Sequence, residues 1–185
     1  MTQTISSGQD VVTFLKSQHE QIKALLGQVL ETTGKQRSET FTELRRLLAV
    51  HETAEEEVVH PKARRTLENG DEVVSERLKE ENEGKQALSE LEKLDVDSAE
   101  FETEFRKFQK DVLEHAEAEE QKEFSKLADK LDDDQLEKMR SAVKMAESMA
   151  PTHPHPGVES ATANLLAGPF AAMMDRAKDA LSGKR

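Results

Sequence analysis

Apolar residues recur every three or four positions along four long stretches of the chain. That is the spacing of one buried helix face, and no stretch alternates as a strand would. The first stripe runs Val12, Leu15, His19, Ile22, Leu26, Val29 to about Thr32; Ser7 with Asp10 reads as its capping box and Gly34 as its stop. The second, opened by Ser38, is Phe41, Leu44, Leu48, His51, Glu55, Val58, and Pro61 is expected to kink it before Asn69-Gly70. Asp71 is placed to cap the third, Val74, Leu78, Glu81, Gly84, Leu88, Leu91, which stops near Asp95-Val96-Asp97. Ser98 opens the fourth, whose inner face is Phe101, Phe105, Phe108, Val112, His115, Glu119, with Phe124 and Leu127 beyond. Long helices joined by short links predict an all-α, up-down-up-down four-helix bundle.

Two further pieces complete the chain. Asp132 to Asp134 precede a shorter helix carrying Leu136, Met139 and Val143. Three prolines between Pro151 and Pro156 then forbid a helix and mark a linker. Beyond it Leu165, Phe170, Met173, Met174 and Leu181 predict one more amphipathic helix. The chain therefore divides into a bundle with its short fifth helix over 1–150 and a linker with a C-terminal helix over 151–185. Residues 158–183 are a candidate surface for a protein partner or self-association.

The informative positions are polar ones set on apolar stripes. The pattern His-x-x-x-Glu-Glu occurs twice, as His51, Glu55, Glu56 and as His115, Glu119, Glu120. Residues four apart share a helix face, so each copy can aim an imidazole and a carboxylate inward. His19 and Glu81 are the lone polar residues on the other two stripes. Counted from the turns, His19 and His51 each lie 16 positions from Lys35, and Glu81 and His115 lie 15 and 19 from Val96. At about 1.5 Å of rise per residue, all four helices can meet at one depth.

Three imidazoles and three carboxylates could not stay unpaired in a core, since burying an ion costs several kcal/mol even after relaxation. Two divalent cations and one hydroxide against three glutamates sum to about zero charge, which favours a dinuclear centre. The chain has no cysteine, so oxygen and nitrogen are the only ligands, a set that suits iron or manganese best and admits zinc. The zinc-protease helix needs a second His where Glu55 stands, and ferritin-like bundles use Glu-x-x-His, so neither pattern applies.

Composition narrows the rest. A net charge of −12 offers no basic face to phosphate and argues against nucleic acid. The start, MTQTISSGQD, lacks the basic and apolar regions of a signal peptide, and no apolar run reaches membrane-spanning length, so a cytoplasmic protein with no membrane partner is expected.

The ordered set resembles the hemerythrin family in its HHE cation-binding branch, over about residues 10 to 130. The family pattern is His, His-x-x-x-Glu, His, His-x-x-x-Glu on successive helices. His19, His51 with Glu55, and His115 with Glu119 fit it, as do the doubled Glu-Glu and Pro61. The departure is Glu81, which stands in place of the family's third-helix His.

The resemblance implies two iron ions, oxo- or hydroxo-bridged, held by His19, His51, Glu55, Glu81, His115 and Glu119, that meet peroxide, O2 or NO. Peroxide disproportionation is the favoured activity: the chain lacks Tyr, Trp and Cys, and its internal methionines all lie at or beyond Met139, so few easily oxidised side chains surround the site. The alternatives are a binding or sensing module for O2, NO or iron that signals through the C-terminal helix, and a structural bundle with no metal. Glu56 and Glu120 are expected to be solvated or to accept from a ligating imidazole, and Glu52 to stand at the rim. His60, off the direct stripe, is expected to be an ordinary, partly exposed histidine, and His153 and His155 to belong to the linker.

Overall fold

A computed structural model describes residues 10–153 and 155. Four long helices form the bundle: α1 (Val11–Glu31), α2 (Gly34–Ala54), α4 (Gly70–Leu91) and α5 (Ala99–Glu119). A π-turn, Glu55–Val59, continues α2 into the short α3 (His60–Thr66), and a second, Glu120–Phe124, continues α5 into α6 (Ser125–Lys130). The fifth long element, α7 (Asp133–Met149), packs on α1, α2 and the first π-turn. No described helix is long and apolar enough to cross a membrane. Ser7 and the predicted C-terminal helix lie outside the described residues.

Several ends are set as the sequence predicts. Ser98 caps α5 by accepting from the Phe101 N–H, and Asp132 caps α7 in a full capping box with Gln135. At α1 the cap differs from the expected Ser7 box: Asp10 is itself the N-cap, accepting from the Thr13 N–H.

Three further ends differ. Gly34 opens α2 instead of stopping α1: with φ of +58° it completes the turn that follows the two-residue link Thr32-Thr33, and the Asp97 carboxylate accepts from its N–H at 2.9 Å. Ser38 consequently falls inside α2. Asn69 rather than Asp71 precedes α4, whose first residue is Gly70. A Cβ at Gly70 would lie 2.6 Å from the carbonyl oxygens of Ala63 and Arg64, so α4 begins where only glycine lets it pass α3. Asp71 is left in the first turn, where its charge favours the helix N-terminus.

The interior is two apolar cores with a polar layer between them. One core is aromatic: Phe41 meets Phe101 edge-on at 5.2 Å, Phe101 stacks on Phe105 at 5.4 Å, and Ile22, Leu26, Leu48 and Leu88 complete it. The other gathers Leu15, Val59, Val74, Phe124, Leu127 and Val143. Along each of the four bundle helices, α5 taken together with its π-turn, the polar position of the stripe lies between a residue of one core and a residue of the other. Hydrophobic burial at both ends therefore holds the intervening layer in register.

Candidate metal centre

His19, His51, Glu55 and Glu119 place ligand atoms within 4.8 Å of one another, as do Glu81, His115 and Glu119. The six residues nominated by the sequence thus converge at one depth, with Glu119 common to both groups. His51, Glu55, Glu81 and Glu119 are at most 3% exposed, His19 is buried, and His115 is half-buried.

Each of three imidazoles turns one nitrogen outward to a fixed acceptor. His19 Nδ1 lies 2.9 Å from Glu120, His51 Nδ1 2.9 Å from the Gln18 carbonyl oxygen, and His115 Nδ1 2.8 Å from Glu80. Their Nε2 atoms are left facing the centre, the arrangement that orients ligating histidines. Glu80 is itself held by Arg77 at 2.9 Å, and Gln18 donates to Glu147 of α7 at 2.6 Å. Phe124 stacks on the His19 ring at 5.5 Å.

At the centre the polar atoms face one another without satisfying one another. Neither oxygen of Glu55 or Glu119 has a hydrogen-bond partner, and neither does Oε2 of Glu81 or Nε2 of His115. The imidazole-to-carboxylate approaches there, 3.3 Å from His51 to Glu55, 3.4 Å from His19 to Glu119 and 3.3 Å from His115 to Glu119, are long for charge-assisted bonds. His19 and His51 set their Nε2 atoms 3.1 Å apart. Buried polar atoms are normally paired, so this cluster of orphans fits a cation-binding role.

The electrostatics agree with that role. Burial and the neighbouring His19 push His51 down to about 3. Burial also opposes charge on His19 and His115, yet Glu119, with Glu120 beside the first and Glu80 beside the second, holds both above the ordinary imidazole range. Glu55 is raised well above the usual carboxylate value by burial and by Glu119. Glu119 is held well below that value despite burial, by His115 and His19. Without a cation, protons do the neutralising.

The layer holds two further residues, His60, which follows Glu55 by five positions, and Glu123, which follows Glu119 by the ordinary helical four. His60 is 2% exposed, against the expected partly exposed histidine. Its Nε2 is 2.5 Å from Glu81 and its Nδ1 2.9 Å from Glu123, whose side chain is fully buried with Oε2 unpartnered. His60, Glu119 and Glu123 form a third group of convergent ligand atoms.

For His60 the cause is the π-turn. The His60 N–H bonds the Glu55 carbonyl, five residues back, so residues five apart share a face there, whereas an α-helix aligns residues four apart. Pro61, which has no N–H to give, comes directly after, so the expected kink takes the form of this turn. The second glutamates of the two His-x-x-x-Glu-Glu copies also part company. Glu120 accepts from His19, one of the two expected roles, but Glu56 is buried and ion-paired with the buried Lys85, so it is neither solvated nor an imidazole acceptor. Burial and Glu81 together raise Glu56 to about 8. Glu52 stands half-buried at the rim, and burial pushes it up to about 7. His153 accepts from Arg45 beside Glu92.

A helical bundle built round buried, convergent histidines and glutamates is a cation-binding scaffold. The hemerythrin HHE cation binding domain matches residues 10–127, and the chain belongs to that family. Among curated proteins it is 27% identical over 141 residues to a DNA nickase of Nostoc sp., a match covering 76% of this chain and 39% of that protein. The chain thus spans about two fifths of that relative's length. Among solved structures it is similar to a hemerythrin HHE cation binding domain-containing protein of Mycobacterium kansasii. The TM-score is 0.65 at 22% identity, covering 75% of this chain and 85% of the other, a likeness of fold.

Proposed function

We propose that the polar layer holds two iron ions and that the protein uses them to disproportionate peroxide. His19, His51 and Glu55 would hold one ion and Glu81 and His115 the other, with Glu119 within reach of both groups. The observation that carries this reading is Glu119: fully buried, unpartnered at both oxygens, and common to every group of convergent ligand atoms. Nitrogen and carboxylate donors without thiolate suit iron, with manganese and zinc as weaker fits. An iron pair supplies the two-electron redox capacity that turns two peroxides into oxygen and two waters. The chain's own part is to orient imidazoles through Glu120, Gln18 and Glu80, to exclude bulk water with the flanking apolar cores, and to keep carboxylates poised to exchange protons for cations.

Iron content and oxygen released from added peroxide, measured on one preparation, test the proposal. About two irons per chain with catalytic oxygen release is the expected outcome. A full iron complement without turnover removes the peroxide activity and leaves a binding role.

A second reading has its own observation. His51 reaches Gln18, and Gln18 reaches Glu147 on α7, so a ligand position is wired to the helix that leads into Pro151. Under this reading the centre senses O2, NO or iron, and protease cleavage near residues 151–157 changes with its state; an unchanged pattern rejects it. The nickase similarity carries no DNA role here, because a net charge of −12 opposes phosphate binding.

A further inference from the structure

A cavity of about 230 Å³ leads from the surface to the proposed centre between α4 and α5. Its inner end is His19, His51, Glu81, His115 and Glu119, and its wall is Ile22, Leu48, Phe108 and Val112. Its outer part carries Glu52, Glu80, Glu83, Asp111 and Glu114, and among the described residues no lysine or arginine lines it. Glu80 is held by Arg77 at 2.9 Å and His115 at 2.8 Å, so the lip's exposed charge is that of Glu83, Asp111 and Glu114; Glu83 and Glu114 have lysine neighbours at 3.7 and 3.2 Å, but these pairs are exposed and weakly held. Gly84 forms part of the lining, and a Cβ added there would meet nothing within 4 Å. The cavity therefore has an acidic lip, an open sill at Gly84 and, at its base, the fully buried Glu119 with both oxygens unpartnered.

Resting on the metal-centre reading above, we infer that this cavity is the route by which divalent cations reach the centre, and that its acidic lip draws them in. A cleft lined by one sign of charge between low-dielectric walls concentrates counter-ions and speeds their arrival by ten-fold or more, an effect that salt removes. Gly84 keeps the passage wide, one turn along α4 from Glu81.

The test measures how fast the metal-free full chain takes up cobalt(II), followed by the visible absorption of the bound ion, with final stoichiometry recorded separately. A lip variant combining Glu83→Gln, Asp111→Asn and Glu114→Gln removes three exposed acids. A control combining Asp133→Asn, Asp134→Asn and Glu137→Gln removes three exposed acids of α7, none lining the cavity. The lip variant is expected to load roughly ten-fold more slowly than wild type at low ionic strength, the gap closing at about 1 M salt, where the Debye length is ~3 Å. The control is expected to load at near the wild-type rate. Gly84→Leu is expected to slow uptake at every salt concentration, and every variant should reach the wild-type stoichiometry. Unchanged uptake in the lip variant or in Gly84→Leu, or equal slowing in the control, overturns the route while the full complement of bound cobalt leaves the centre standing. A wild-type chain that takes up no stoichiometric cobalt overturns both.

Discussion

At the first copy of His-x-x-x-Glu-Glu, α2 winds into a π-turn, Glu56 sinks onto Lys85 and His60 turns inward. At the second, α5 winds into a π-turn of the same length, but Glu120 stays half-buried against His19, and a carboxylate, Glu123, turns inward. The inward pair from the two turns is an imidazole and a carboxylate bonded to each other, so the two copies are complementary rather than equivalent. Identical motifs set the His and the first Glu of each copy face to face, at 3.3 Å in both. The surroundings of each copy set the charge balance: Lys85 and His60 offset Glu56, Glu81 and Glu123, while Glu119 is left for a cation.

The largest effect expected from this asymmetry separates Glu119 from Glu55, which hold the same place in their motifs. Glu119→Ala removes the carboxylate common to all three ligand groups and should abolish stoichiometric metal binding. Its loss should exceed the roughly 10–100-fold penalty typical of an outer partner. Glu55→Ala removes a member of one group and should leave about one equivalent bound. Metal analysis after gel filtration checks both, and equal losses would make the copies equivalent after all.

Next in size is His60→Leu, which leaves Glu81 and Glu123 buried without their shared imidazole. Urea unfolding of the metal-free variant should show a loss of about 3–5 kcal/mol, the usual consequence of breaking a buried charged pair. A change within error would mean that the imidazole is not holding these carboxylates.

Glu56 and Glu120 should then part by readout. Glu56→Ala strands the buried Lys85 and should destabilise the fold by about 3 kcal/mol. Glu120→Ala removes an acceptor of the His19 ring and should weaken metal binding about 10-fold with little change in stability. Titrating both variants with cobalt and with urea distinguishes the roles.

The smallest expected effect is one of pH. His19, His60 and His115 are held above the usual imidazole value, burial opposing the charge and carboxylates restoring it, while Glu52 and Glu56 are raised to about 7 and about 8. Above about pH 6.5 the metal-free native state therefore binds more protons than the unfolded chain, so its stability falls as pH rises. A cation bound by the layer competes with the protons on His19 and His115, so metal affinity rises across that window. Urea midpoints of the metal-free protein between pH 6.5 and 8.5 should decline, and a rise would show that the carboxylates are not sharing protons in this way.

The bundle and the convergence of its candidate ligand residues were legible because they obey α-helical spacing. His19, His51, Glu81 and His115 interrupt apolar stripes, and equal distances from the turns bring them to one level. His60 was not legible, because a π-turn moves the inward face by one residue and nothing in EEEVVHP announces that change of period, whereas Glu123, four residues beyond Glu119, lay on the continued helical stripe and was overlooked. Pro61 hinted at a disturbance without giving its form. Lys85 was hidden for another reason: a lysine one turn beyond Glu81 reads as a solvated charge until α2 brings Glu56 against it. Gly34 and Asn69 show the same limit at helix ends, where a two-residue link and a close helix approach overrode the better capping residues.

Anomalous diffraction at the iron edge, from crystals of the iron-loaded full chain, reaches the central claim most directly. The expected result is two iron peaks inside the layer bounded by His19, His51, Glu55, Glu81, His115 and Glu119, with Glu119 contacting both. Iron confined to surface acids, with His51 and His115 keeping their present partners around a metal-free interior, would contradict it.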